Sequence, residues 1–317
     1  MSSQLVDINA DNKKDILVGS FSGVPHIIMG DEKGYAVPEA MKDSSGETIL
    51  IANFWNTKDS KWDKTDRAKS KGHCTSVAAV DWDSDGDLDL ILGDYYGGAL
   101  FVRMNEGSDS EPKYATENAA ILAAGKPIVI DKGLAAPRVV DWNGDGLFDI
   151  ICGGAKGGAF LYLNNGNKSE PKFKAAQTLI KPYEDKKNSY VKLVPSKNDL
   201  PTMAGSSFHI EPVDYDNDGD LDLLVGARCS WKKADAPKLS DEDKAELEKI
   251  DAEWKVVIAD YSAMLNGVAK KEDQKKVMES KEFKALSKKL TDLSHKKSKY
   301  NVNPNKSGDF VWLYRRK

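Results

Sequence analysis

Three loops of the pattern D-x-[DN]-x-D-G-x-x-D begin at Asp81, Asp141 and Asp214, and a weaker relative begins at Asp7. Nothing else in the chain restricts its fold so tightly. The four starts are about 60 to 75 residues apart, a period that belongs to a supersecondary unit repeated along the chain, as in a propeller or a solenoid. Each loop follows one apolar run (LVDI, SVAAVDW, PRVVDW, IEPVDY) and precedes another (DILVGS, LDLILGD, FDIICGG, LDLLVGA). A glycine-rich turn and a third run follow, as in GGALFVRM and GGAFLYLN, and NEGSDSEPKYA and NNGNKSEPKFKA then turn the chain toward a fourth. Short runs of Val, Ile, Leu, Tyr and Phe between Gly, Asn, Asp and Pro are strand signals. Four strands per unit predict an all-β chain, a β-propeller of four recognisable four-stranded antiparallel blades.

One segment breaks the repeat. Ser240 and Asp243 mark a helix start, and Leu247, Ile250, Trp254, Val257, Ile258, Tyr261 and Leu265 follow at helical spacing up to a stop at Asn266-Gly267. Val277, Phe283, Leu286, Leu290 and Leu293 give a second amphipathic stretch. Together they predict a helical hairpin over 239–300. It is inserted in the last blade, between propeller residues 1–238 and a closing strand in 301–317, where GDFVWLYRRK matches GGALFVRM.

Carboxylates at alternating positions repel one another unless a cation lies among them. The pattern sets side-chain oxygens at loop positions 1, 3, 5 and 9, a glycine at 6 and a backbone carbonyl at 7. That is an all-oxygen set for a hard cation, and calcium suits it better than magnesium, which demands a strict octahedron. An EF-hand is excluded: its position-12 glutamate is replaced by Leu92, Cys152 and Val225, and the flanks are strand-like. Loop one keeps Asp7, Asn9, Asp11 and Asp15 but has Asn12 where the others have glycine, a degenerate fourth site.

Strand, aspartate loop, strand, glycine-rich turn and strand resemble the FG-GAP/VCBS repeats of integrin-like β-propellers, and more closely those of propeller proteins in bacterial secretomes. The resemblance covers nearly the whole chain outside the helical insertion. It implies calcium held between the first two strands of a blade. The ligands it implies are Asp81, Asp83, Asp85, Asp87 (by carbonyl) and Asp89 in loop two. In loop three they are Asp141, Asn143, Asp145, Leu147 (carbonyl) and Asp149, and in loop four Asp214, Asp216, Asp218, Asp220 (carbonyl) and Asp222. Relatives often have seven blades, so four blades with an unfinished last one imply a small ring, or one closed by a partner; an open edge invites self-association.

The remaining signals are weaker. A net charge of -4 on 317 residues argues against a nucleic-acid partner. Cys74, Cys152 and Cys229 form no zinc or disulfide framework, and Cys152 in its apolar run reads as a packed hydrophobe. No stretch suggests membrane insertion or a secretory leader, although calcium loops of this kind suit an extracellular or cell-envelope setting. His26, His73, His209 and His295 show no metalloprotease spacing, GGAKGG at 153–158 lacks the P-loop Ser/Thr, and no catalytic residue is assigned. Trp82, Trp142 and Tyr215 recur at loop position 2 and read as wedges between blades, while Tyr95, Tyr96, Trp55 and Trp231 are candidate contact residues. The function expected is non-catalytic: a calcium-stabilised platform for a protein or glycan ligand. The alternative is a polysaccharide lyase or hydrolase on a calcium-dotted propeller.

Overall fold

The computed structural model describes residues 3–20, 23–51, 53–56, 61–64, 75–94, 97–183, 192–193, 200–232, 239–266, 271–300 and 305–316. They form mostly β structure arranged in several small antiparallel sheets. Four of these follow the four loops in order. Sheet one contains β1 (Ser3–Val6), β2 (Asp15–Val18), β3 (His26–Ile28) and β4 (Glu39–Ala40). Sheet two contains β5 (Thr75–Val80), β6 (Asp89–Asp94), β7 (Leu100–Arg103) and β8 (Ala119–Ala120). Sheet three contains β9 (Ala136–Val140), β10 (Asp149–Gly153), β11 (Ala159–Tyr162) and β12 (Gln177–Ile180).

Sheet four is built differently. β14 (Ser206–Val213) and β15 (Asp222–Lys232) pair as in the other sheets, and β16 (Asn305–Tyr314) pairs with β15. A two-residue strand, β13 (Lys192–Leu193), runs parallel to the far end of β15 at Ser230 and Trp231.

The apolar runs of the second strands are buried on both faces, and alternation divides them between neighbours. Leu90 and Leu92 of β6 join Val6 and Leu17 of sheet one in one core cluster. Ile91, between them, joins Ile150 and Cys152 of sheet three. Ile151, in turn, joins Leu223 and Val225 of sheet four. Three cores of the same design therefore lie between successive sheets. Close approach requires glycine at the end of the second strand: a Cβ on Gly93 would come 2.1 Å from the carbonyl oxygen of Ala135, and one on Gly153 2.2 Å from that of Phe208. Cys152 is a free, fully buried thiol within the second core.

By chain contacts the molecule divides into two compact units, residues 1–231 with 307–317, and residues 232–306. The second unit carries α1 (Asp241–Asn266), α2 (Lys271–Glu279) and α3 (Lys281–Lys299). Ser240 and Asp243 form the expected reciprocal cap at the start of α1, with Asp243 N–H donating to Ser240 Oγ at 3.1 Å. The second amphipathic stretch, expected as one helix, is cut at Ser280. Its extended backbone ends α2, and its Oγ caps α3 by accepting from Phe283 N–H. Ile250, Val257 and Leu293 form the core of this unit, and ion pairs Lys289–Glu253 and Lys297–Asp251 flank it. No helix among the described residues is long and apolar enough to cross a membrane.

Candidate metal centre

All four loops share one backbone design, with left-handed residues at positions 4 and 6. These are Ala10 and Asn12, Ser84 and Gly86, Gly144 and Gly146, and Asn217 and Gly219. Asn12, at φ 66°, tolerates the conformation that glycine adopts in the other three, because asparagine enters this region more readily than other side-chain-bearing residues. The irregularity of loop one in sequence thus leaves its turn intact.

The last aspartate of each loop, read from the sequence as a ligand, has a second duty. Asp15 is fully buried and accepts from Ile8 N–H at 3.0 Å and Gly30 N–H at 2.8 Å. Asp89 accepts from Trp82 and Asn105, and Asp149 from Trp142 and Asn164. Asp222 accepts from the N–H of Arg316 at 2.8 Å. The carboxylate thereby ties the loop, or the second strand, to the end of the third. Asn105 and Asn164 extend the tie, since each side-chain oxygen caps the next turn by accepting from Gly107 and Lys113, or from Gly166 and Lys172. This Asn role was not foreseen, although the repeated N-x-G before each E-P-K carries its signal.

The first aspartate separates the loops. Asp7 accepts from Asp11 and Asn12 N–H, Asp141 from Gly144, Asp145 and Gly146, and Asp214 from Asp218 and Gly219. Position 5 then accepts from position 7: Asp11 from Lys13, Asp145 from Leu147, Asp218 from Asp220. Asn9 and Asn143 donate their side-chain amides to Asp11 and Asp145.

Loop two carries a denser charge. Asp81, Asp83 and Asp85 offer carboxylate oxygens that all lie within 4.8 Å of one another. Asp87, expected to contribute only its carbonyl, is buried within reach of the charges of that cluster. Burial, reinforced by Asp85, Asp83 and Asp81, pushes its carboxyl up to about 6. Burial likewise pushes Asp89 up to about 7 against the pull of its two hydrogen bonds, and it raises Asp149. One oxygen each of Asp81, Asp83 and Asp87 is buried with no hydrogen-bond partner. Such oxygens, set among like charges, are a donor set that fits a cation.

Loop four also brings three carboxylates, Asp214, Asp216 and Asp218, within 4.8 Å. Here a cationic side chain already approaches: Arg315 Nη1 lies 3.1 Å from Asp216 Oδ2, and Arg316 Nη1 3.6 Å from Asp220 Oδ1. Arg316 also donates to the carbonyl of Trp142 and stacks over its ring, 4.9 Å from the centroid. The two arginines follow the strand expected to close this sheet, and nothing in the repeat pattern assigned them a role.

The position-2 aromatics take three different places. Trp82 is buried and packs on Phe173 at 5.6 Å, Trp142 lies under Arg316, and Tyr215 is exposed. Trp231 is buried against Phe310. Tyr95, Tyr96, His73, Cys74 and the Trp55 side chain lie outside the described residues.

Residues 141–225 match the family model described as FG-GAP-like repeat, so this segment, with the third and fourth loops, is an FG-GAP-like repeat. The resemblance read from the sequence holds there. No curated protein sequence matches the chain.

Proposed function

We propose that this chain is a calcium-stabilised, non-catalytic platform of propeller type, its four loop-bearing sheets serving as blades. The observation that carries the reading is the set of unpartnered buried oxygens on Asp81, Asp83 and Asp87 beside Asp85. In that loop Asp81, Asp83, Asp85 and Asp87 hold the ion, with Asp89 beside them joining loop to strand. The corresponding residues are Asp141, Asn143, Asp145, Leu147 and Asp149 in loop three, and Asp214, Asp216, Asp218, Asp220 and Asp222 in loop four. Loop one offers Asp7, Asn9, Asp11 and Asp15.

Bound calcium supplies positive charge that cancels the carboxylate repulsion and pins the loop between the first two strands. The chain's own part is to hold the oxygens in place. Left-handed residues at positions 4 and 6 turn the loop inward, and the position-9 carboxylate fastens it to the third strand. Dissociation constants on the order of 10⁻⁴ to 10⁻³ M suit an extracellular or cell-envelope setting, where loop faces of a rigid scaffold are open to a protein or glycan ligand. The helical unit is read as an insertion in the last blade.

Isothermal titration with calcium, with a magnesium control, tests the reading. Saturable calcium heat that Asp81→Asn with Asp83→Asn removes from loop two supports it. A protein that takes up no calcium at millimolar concentration overturns it.

A further inference from the structure

The third strands of sheets two and three lead into the same kind of turn, and the repeat gives an internal comparison. Asn105 and Asn164 occupy one place in it. Each backbone N–H donates to the last aspartate of its loop, and each side-chain oxygen accepts from the residues two and eight further on. Their side-chain nitrogens differ. Asn105 Nδ2 donates to the carbonyl of Ser108 at 3.3 Å. Asn164 is only 4% exposed, yet among the described residues its Nδ2 has no acceptor. Taking an amide donor out of water without a new partner is costly, so such a group calls for one.

Asn164 lines a hollow of about 220 Å³ between loops two and three. Asp81 and Ser84 of loop two, Phe148 of loop three, and Lys168 and Pro171 of the turn are among its walls. Ser84 Oγ reaches across to the carbonyl of Lys168 at 3.4 Å, so loop two touches the turn of the following repeat here. The hollow is smaller than the roughly 300–1,000 Å³ of pockets that take drug-sized molecules, and it suits a single small ring.

Position for position, the preceding pair of repeats has Ala10, Leu88 and Asp109 where this hollow has Ser84, Phe148 and Lys168. A methyl, a branched alkyl group and a carboxylate thus give way to a hydroxyl, an aromatic ring and an ammonium group. Phe148 is 38% exposed, and Lys168 is exposed with no ion pair among the described residues. The hydroxyl and the unpaired amide supply directional hydrogen bonds, Phe148 with Pro171 an apolar wall, and Lys168 a positive charge. A ligand that uses all of them carries hydroxyls, a ring with an apolar face, and an anionic group.

We propose that the hollow between loops two and three binds one acidic pyranose residue, a hexuronate. Its hydroxyls meet Asn164 Nδ2 and Ser84 Oγ, its ring lies on Phe148, and its carboxylate meets Lys168. The inference rests on the calcium reading, because the ion in loop two has to cancel the charge of Asp81 before an anion settles beside it.

The test is a ligand-observed NMR titration of the intact chain with D-galacturonate and with D-glucuronate in saturating calcium. D-Galactose and N-acetylaspartate are the controls, the first lacking the carboxylate and the second lacking the ring. Saturable binding of a uronate is expected, with galactose about tenfold weaker, the share of one charge-assisted hydrogen bond. Lys168→Asp and Phe148→Leu each install the residue that the second repeat carries at that place. Both variants are therefore expected to fold and to keep the calcium-induced rise in unfolding midpoint. Lys168→Asp should abolish the preference for uronate over galactose, and Phe148→Leu should weaken both sugars. No saturable uronate binding by the unmodified chain overturns the proposal. So do a preference that survives Lys168→Asp and sugar binding that Phe148→Leu leaves unchanged. Acetylaspartate that binds as tightly as a uronate overturns it in favour of an acidic peptide. The calcium response, recorded on the same samples, separates the two readings: uronate binding that fails while calcium still raises the midpoint strikes this inference alone.

Discussion

The backbone N–H of Asn105 donates to Asp89 Oδ1 at 2.6 Å, across sixteen residues of chain, while the other oxygen of Asp89 takes the N–H of Trp82. The same carboxylate that closes the acidic loop also fixes where the third strand of the sheet ends. Asp149 repeats the relationship with Asn164 and Trp142. Replacing Asp149 by Ala strands two N–H donors in a buried place, at about 1–3 kcal/mol each. Urea unfolding of Asp149→Ala should therefore show about 2–5 kcal/mol lost whether the buffer contains calcium or EGTA.

Asp83 should behave in the opposite way. Its carboxylate stands among like charges, and one oxygen has no partner. Asp83→Asn removes repulsion, so in EGTA the variant should be at least as stable as the unmodified protein. In calcium it should be the less stable of the two. Paired thermal melts read this crossing directly.

Loop four is expected to bind calcium more weakly than loop two, because Arg315 already approaches Asp216. Arg315→Ala removes a charge that competes with the ion. Calcium titration of this variant should show tighter binding at one site, with heats at the other sites unchanged.

His209 gives the first unit a pH dependence. Burial, with Arg138 adding to it, lowers its pKa to about 4 from an ordinary 6.5, and Arg228 and Asp309 line the hollow it faces. Folding therefore favours the neutral ring. The stability this contributes is complete above pH 6.5 and is lost as pH falls from there toward 4. The loss is on the order of 1–2 kcal/mol after allowance for partial exposure. His209→Gln should flatten this part of the stability profile, measured by denaturant unfolding at pH 7.5, 6 and 5.

The repeating strands were legible because short apolar runs between turn residues, each set against a loop with fixed glycine placement, leave few alternatives. Leu90, Ile91 and Leu92 read as part of a strand, and they are; the structure adds that the strand is buried on both faces. The helix start at Ser240 was legible for a similar local reason, a side-chain cap. The break at Ser280 was not, since a serine within an amphipathic run does not announce that its backbone is extended. The tie from Asp89 to Asn105 was hidden because it joins residues of separate strands, and the loop pattern fixes only its first half. Arg315 and Arg316 were hidden because their target lies about a hundred residues earlier in the chain; only the pairing of β15 with β16 brings them to loop four.

The central claim is that the acidic loops are cation sites and not merely acidic turns. Thermal unfolding of the intact chain in EGTA, against calcium raised stepwise to several millimolar, tests it most directly. The account predicts a midpoint that climbs with calcium and levels off near millimolar concentration, with magnesium far less effective at equal ionic strength. A midpoint that does not respond to calcium, or responds equally to any divalent salt, would contradict it.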